Sequence, residues 1–389
     1  MGRGIRQDAA ERAVKRGNYL LILPDGRGCP EEMGEPPLVI TGATVLTGVD
    51  LVPLTDAIVA FEDGVITAVG STDEIRVSDG AQTIDARGKT LMPGFIDAHV
   101  HIGFVDPADV LNGGVTTVRD LAWPPGVIST LVEASRVDTF AGPTIVAAGP
   151  MLTAPGGYPT RAGWAPPGTG LEVARPQDAR GVVGSVVDAG FSIVKIALNP
   201  PAGPVLDLDT LSAIVETAHE GGLKVTGHIH GLEQLDKALD AGVDELAHML
   251  MSDETIPQRT IERMVRARMT IVPTLAIFSG DTSRTAIANL RAFRESGGRV
   301  IYGTDLGNEG PQPGIDPKEV RGMHQAGMSG LDIIRSATID SAAWLSLEHV
   351  GSIEVGNDAD LVLVDGDPLA DPSALTRIAG VWRRGIRAR

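Results

Sequence analysis

Two periods of hydrophobic and polar positions divide the chain. Residues 38–92 carry short apolar runs typical of strands, at 38–40, 43–46, 57–61 and 65–69. Asp63-Gly64 separates the last two, a two-residue hairpin signal. The C-terminus repeats the pattern, with a run at 359–364, then Asp365-Gly366, and later Gly380-Val381-Trp382. Strands of one type at both ends predict one small β domain made from both termini, residues 37–92 plus 350–389. Between them the period changes. Apolar strand-like runs at 94–97, 116–118, 144–147, 192–196, 223–226, 245–247, 270–273 and 299–303 alternate with helical patterns such as 211–218 and 256–268. Eight such units, each about 30 residues long, are the size of a (β/α)8 barrel, expected over residues 93–349. The expected class is therefore α/β, a (β/α)8 TIM barrel with a small terminal β domain. Residues 1–36 read as an N-terminal extension of unassigned role.

Composition narrows the partners. The net charge is −17, from 33 basic and 50 acidic residues. Such a chain repels nucleic acid and anionic membranes, so neither is an expected partner. No apolar run reaches the roughly 18 residues of a membrane span. The apolar stretch 19–23 is too short for a signal-peptide core. The one cysteine, Cys29, permits no internal disulfide, which fits a reducing cytoplasm. The expected partner is a small-molecule substrate; a homo-oligomer remains open.

The chemistry-bearing residues fall at or near the C-terminal ends of the expected barrel strands, the face where such barrels place active sites. His99 and His101 follow the first strand, Lys195 lies in the fourth, and His228, His248 and Asp305 end the fifth, sixth and eighth. His101 to Lys195 spans three units of about 31 residues. In His99-Val100-His101 the alternation of a strand aims both imidazoles to one side. Four histidines, a carboxylate and a lysine converging on one face have the composition of a metal site. Lysine inside an apolar strand is the least ordinary of them; its bland alternative is a side chain snorkelling at a strand end. His230, two residues past His228, is expected on the same side, contacting substrate or supporting the ligands. The segment Gly156-Gly157-Tyr158-Pro159-Thr160-Arg161 is expected to roof the pocket, with Tyr158 and Arg161 as substrate-binding candidates. His219 reads as structural, His324 and His349 as packing or surface. Arg119-Asp120 reads as a structural ion pair.

The chain resembles the amidohydrolase superfamily over roughly residues 37–389. The matching pieces are Pro93-Gly94-Phe95-Ile96-Asp97-Ala98-His99-Val100-His101, Val194-Lys195-Ile196, Gly227-His228-Ile229-His230-Gly231, Glu245-Leu246-Ala247-His248-Met249 and Gly303-Thr304-Asp305. The C-terminal Gly351-Ser352-Ile353 and 356–362 also match. The imidazolonepropionase-like and Xaa-Pro-dipeptidase-like members are the most similar in style. The resemblance implies a distorted (β/α)8 TIM barrel with a β-sandwich formed by both chain termini, and two divalent metal ions, zinc being expected. His99, His101 and Asp305 would hold the more buried ion, and His228 and His248 the second. Lys195, carboxylated on its amine by carbon dioxide, would bridge them. Asp305 would act as general base and then general acid. One departure is Ala247, where many relatives carry glutamate. The implied reaction is hydrolysis of an amide or related C–N bond in a dipeptide, N-acyl amino acid or cyclic amide. A lactone, ester or phosphotriester hydrolase on the same centre, a single-metal deaminase and an inactive scaffold are the alternatives.

Overall fold

The computed structural model describes residues 37–78 and 80–389. The expectations for residues 1–36, Cys29 included, lie outside the described residues. Both ends of the described residues enter one eight-stranded sheet. Leu38–Thr47, Val52–Glu62, Val65–Ser71, Gln82–Asp85 and Lys89–Pro93 come from the N-terminal side, and Leu361–Asp365, Ile378–Arg383 and Ile386–Arg387 from the C-terminal side. Lys89–Pro93 is the seam: it runs parallel to the first strand and antiparallel to Leu361–Asp365, with Leu361 opposite Pro93. The Asp63-Gly64 turn is present. Glu62 pairs with Val65, and both turn residues have positive φ (49° and 81°), the geometry a two-residue hairpin needs. Val65–Ser71 alternates half-buried and buried positions, as the period-two pattern requires.

The middle of the chain is α/β with parallel strands. Phe95–Val100, Val115–Asp120 and Thr144–Ala147 form a three-stranded parallel sheet. A seven-stranded parallel sheet holds, in order, Gly170–Glu172, Met151–Thr153, Val194–Leu198, Val225–Ile229, Glu245–Leu246, Thr270–Ile271 and Arg299–Val300. Each of the eight predicted runs overlaps a strand. Met151–Thr153 and Gly170–Glu172 were not anticipated, being too short to show a period. The ladders do not form one continuous ring. Isolated backbone bonds bridge the gaps: Ala98 N donates to Tyr302 O (3.0 Å), Asp305 N to His99 O (2.8 Å), and Ser192 N to Ala147 O (2.8 Å).

Helices fill the connections, and local chemistry sets their ends. The pattern at 211–218 becomes Leu208–Glu220, opened by the Asp207 carboxylate accepting from Thr210 N. That at 256–268 becomes Gln258–Arg266, begun after Pro257. Leu232–Ala241 ends at Gly242, whose φ of 83° a side chain would strain. Most strand residues facing both the helices and the sheet interior are buried and apolar, so the buried polar groups in this region stand out.

Candidate metal centre

Phe95–Val100 is buried along its whole length, and it delivers His99 and, one residue beyond it, His101. Their Nε2 atoms lie 3.1 and 3.2 Å from the same oxygen, Asp305 Oδ1. Asp305 sits in the left-handed region (φ 58°), an unusual backbone state for a residue with a side chain. Surrounding bonds hold it there. Asp305 N donates to His99 O, and Asp97 accepts from His99 N (3.1 Å), Thr304 N (3.1 Å) and Thr304 Oγ1 (2.6 Å). Asp97 thus ties the first strand to the turn carrying Asp305. The ligand atoms of His99, His101 and Asp305 all lie within 4.8 Å of one another.

A second cluster comes from the neighbouring strands. His228, near the end of Val225–Ile229, and His248, just past Glu245–Leu246, meet with His228 Nδ1 2.7 Å from His248 Nε2. The outer ring nitrogens are engaged as well: His248 Nδ1 with Met249 O (2.8 Å), His99 Nδ1 with Ala247 O (2.5 Å), and His228 Nε2 with the Asn199 side-chain amide (3.0 Å). At Ala247, then, a backbone carbonyl orients His99. The rings of His99 and His248 stack at 6.1 Å, so the two clusters are contiguous. Lys195 belongs with them. It is 1% exposed, and its Nζ has no hydrogen-bond partner among the described residues.

Electrostatics favours neutral donors around one anion. Burial pushes the Lys195 ammonium down to about 7, against the pull of Asp305 and Glu245. Burial also takes His99 to about 4 and His248 to about 3, and His228 well below the ordinary imidazole range. A neutral imidazole keeps a lone pair for a metal. Burial alone would raise the Asp305 carboxyl, but His99 and His101 outweigh it and hold it well below the usual carboxylate range. Four imidazoles, an ionised carboxylate and an unpartnered buried amine fit divalent metal ions of the zinc type.

These groups open into a cavity of about 740 Å³ whose wall includes His99, His101, Tyr158, Lys195, His228 and Asp305. Tyr158, in this wall, stacks on His228 at 4.8 Å. Two of the expected site residues lie outside this wall. His230 is half-buried, one residue past Val225–Ile229, and its backbone N donates to Leu198 O at 3.0 Å. Arg161 is exposed and lies against Gly156, away from the wall. One expectation is corrected: Arg119 pairs with Glu245 (2.6 and 3.1 Å) rather than Asp120, since adjacent strand residues face opposite ways. Asp120 instead accepts from Ile102 N and Ala122 N. His219 is structural, bonded to Asp244 at 2.8 Å, and His324 is bonded to Met328 O at 2.9 Å. Sequence reasoning missed Asn199, Phe104, Trp164 and Lys318. Only Asn199 had a readable signal: with 195 and 197 it shares one face of a strand and its continuation.

Residues 90–387 match the family model described as the amidohydrolase family. The chain belongs to that family. It is 27% identical over 406 aligned residues to a 5-methylthioadenosine/S-adenosylhomocysteine deaminase of Natronomonas pharaonis, covering 86% of each chain. Against the ochratoxinase of Aspergillus niger it is 25% identical over 428 aligned residues, covering 90% of this chain and 86% of that one. Among solved structures, a putative prolidase from Bifidobacterium longum superposes with a TM-score of 0.76 at 26% identity, covering 90% of this chain and 94% of that chain. The chain is thus an amidohydrolase-family hydrolase, an enzyme acting on C–N bonds.

Proposed function

We propose that the protein cleaves an amide or related C–N bond of a small molecule, such as a dipeptide, an N-acyl amino acid or a cyclic amide, at a centre of two divalent metals. One observation carries this reading: the buried, unpartnered Lys195 amine lies near both histidine clusters, close enough to bear on the protonation of His99, His228 and His248. A lone ion held by His99, His101 and Asp305 has no need of such an amine; a pair has. His99, His101 and Asp305 would hold one ion and His228 and His248 the other. The neutral Lys195 amine would add carbon dioxide with loss of a proton, and the carbamate would supply anionic oxygen ligands to the centre. Divalent ions in this site lower the pKa of water toward ~7 and polarise a carbonyl. Asp305 takes the proton of the attacking water and passes it to the leaving nitrogen. Tyr158, on the His228 ring, borders the bound substrate. Zinc fits the nitrogen-rich donor set.

The same reading extends to the architecture. The two parallel sheets, bridged at their edges, act as a distorted (β/α)8 barrel over residues 93–349, and the terminal strands as a β-sandwich domain over 37–92 plus 350–389. Among the described residues no helix is long and apolar enough to cross a membrane.

A single-metal deaminase is the second reading, favoured by the compactness of the His99, His101 and Asp305 trio. Metal analysis of the purified protein with a screen of dipeptides, N-acyl amino acids, cyclic imides and lactones separates them. About two ions per chain with amide turnover supports the first reading; one ion with ammonia release supports the second.

A further inference from the structure

The cavity wall beside His101 is made of rings, in a chain whose residues are only 4% aromatic. Phe104 ends the short turn Ile102–Phe104 and is 46% exposed. Its ring centre lies 4.9 Å from that of Trp123 and 6.1 Å from that of Trp164. Trp164 is half-buried and lies 5.6 Å from the His101 ring and 6.0 Å from Tyr158, which stacks on His228. The aromatic surface therefore runs without a break from one proposed metal ligand to another. It borders the reacting centre.

We propose that this wall binds a planar aromatic ring attached directly to the scissile C–N bond, so that aryl-acyl amides and anilides are the preferred substrates. The inference rests on the hydrolase reading above. Its physical basis is the geometry of ring contacts. Aromatic groups gain from edge and offset contacts with ring centres about 4.5–7 Å apart, beyond the area they bury. Phe104, Trp164 and Tyr158 already contact one another in that range and leave ring surface facing the cavity. The placement is built in. A Cβ at Gly103 would collide with the Trp123 ring, so the absence of a side chain lets the turn press against Trp123 and hold Phe104 out. Met151 and Met251, also in the wall, are adaptable side chains that make favourable contacts with ring edges.

The test uses matched pairs on the full-length, metal-loaded protein: N-benzoylglycine against N-cyclohexanecarbonylglycine, and acetanilide against N-cyclohexylacetamide. Trp164→Ala, Phe104→Ala and the conservative Trp164→Phe are compared with wild type, so that intrinsic reactivity cancels. The expected result is a fall in kcat/KM of about tenfold for the aryl member in Trp164→Ala. The cyclohexyl member changes less than about threefold, and Trp164→Phe recovers most of the loss. Equal losses for both members overturn the inference. Equilibrium dialysis of benzoate against cyclohexanecarboxylate supplies a readout without turnover. If no amide is cleaved, the hydrolase reading fails, and the dialysis still decides: tighter benzoate binding, lost in Trp164→Ala, supports the ring subsite, and equal binding overturns it.

Discussion

His228 Nδ1 and His248 Nε2 face each other at 2.7 Å, while Asn199 reaches the far nitrogen of the His228 ring at 3.0 Å. In the proposed centre these two nitrogens, from different strands, would hold the second ion. Asn199 Oδ1 is buried and without a partner, so turning the amide over would let Nε2–H donate to it and leave Nδ1 free as a ligand. Outer partners of this kind are typically worth 10–100-fold in metal affinity. Asn199→Leu is expected to weaken the second ion by about tenfold in calorimetric zinc titrations. Asn199→Asp, which keeps the acceptor, should stay within about threefold of wild type. Equal behaviour of the two variants would remove Asn199 from this role.

Lys195→Ala should lose most activity and at least one metal ion. A short carboxylic acid added in solution supplies two oxygens and should restore part of both. Apo-protein should take up metal and activity faster with bicarbonate present. Intact mass at Lys195 gives the direct check: an unmodified amine in a fully active, metal-loaded enzyme ends the carbamate assignment.

Asp305→Asn keeps the hydrogen bond from Asn308 within reach but cannot carry a proton. The expected loss in kcat is about 10²–10⁴-fold. Circular dichroism and Tm should stay near wild type, since Asp305 holds little of the apolar core. A variant with near-normal kcat would show that another group moves the proton.

Glu319 offers a pH test of stability away from the metal ligands. Burial lifts its carboxyl well above the ordinary 4.5, outweighing the Ala276 amide that donates to it. The folded state therefore keeps a proton that the unfolded chain has released. Its contribution is fully present below about 4.5 and is lost as pH rises through the folded pKa. Urea midpoints at about pH 5 and about pH 8 are expected to fall less in Glu319→Gln than in wild type. Parallel falls would mean that this carboxyl does not set the slope.

Much of the centre could be read from local pattern. Alternation in His99-Val100-His101, the lysine within the run 192–196 and the histidines at the ends of later strands depend on strand periodicity, which a sequence carries directly. The Asp63-Gly64 hairpin is of the same kind, since both turn residues need positive φ. Unit spacing located eight of the parallel strands but not Met151–Thr153 and Gly170–Glu172, which are too short to show a period.

Other features exist only once distant segments meet. Arg119 finds Glu245 across 126 residues, although Asp120 is its neighbour, because a strand sends adjacent side chains to opposite faces and only the packed interior supplies a partner. His228 meets His248 across 20 residues of chain, a pairing that strand period alone does not specify. The ring-lined wall joins loops at Phe104, Tyr158 and Trp164, whose approach is set by how each connection packs and not by any period. The amino-acid order determined which faces are buried and which residues reach the strand ends. Tertiary packing decided which of those residues meet, because contacts between loops depend on the positions of all the strands that carry them.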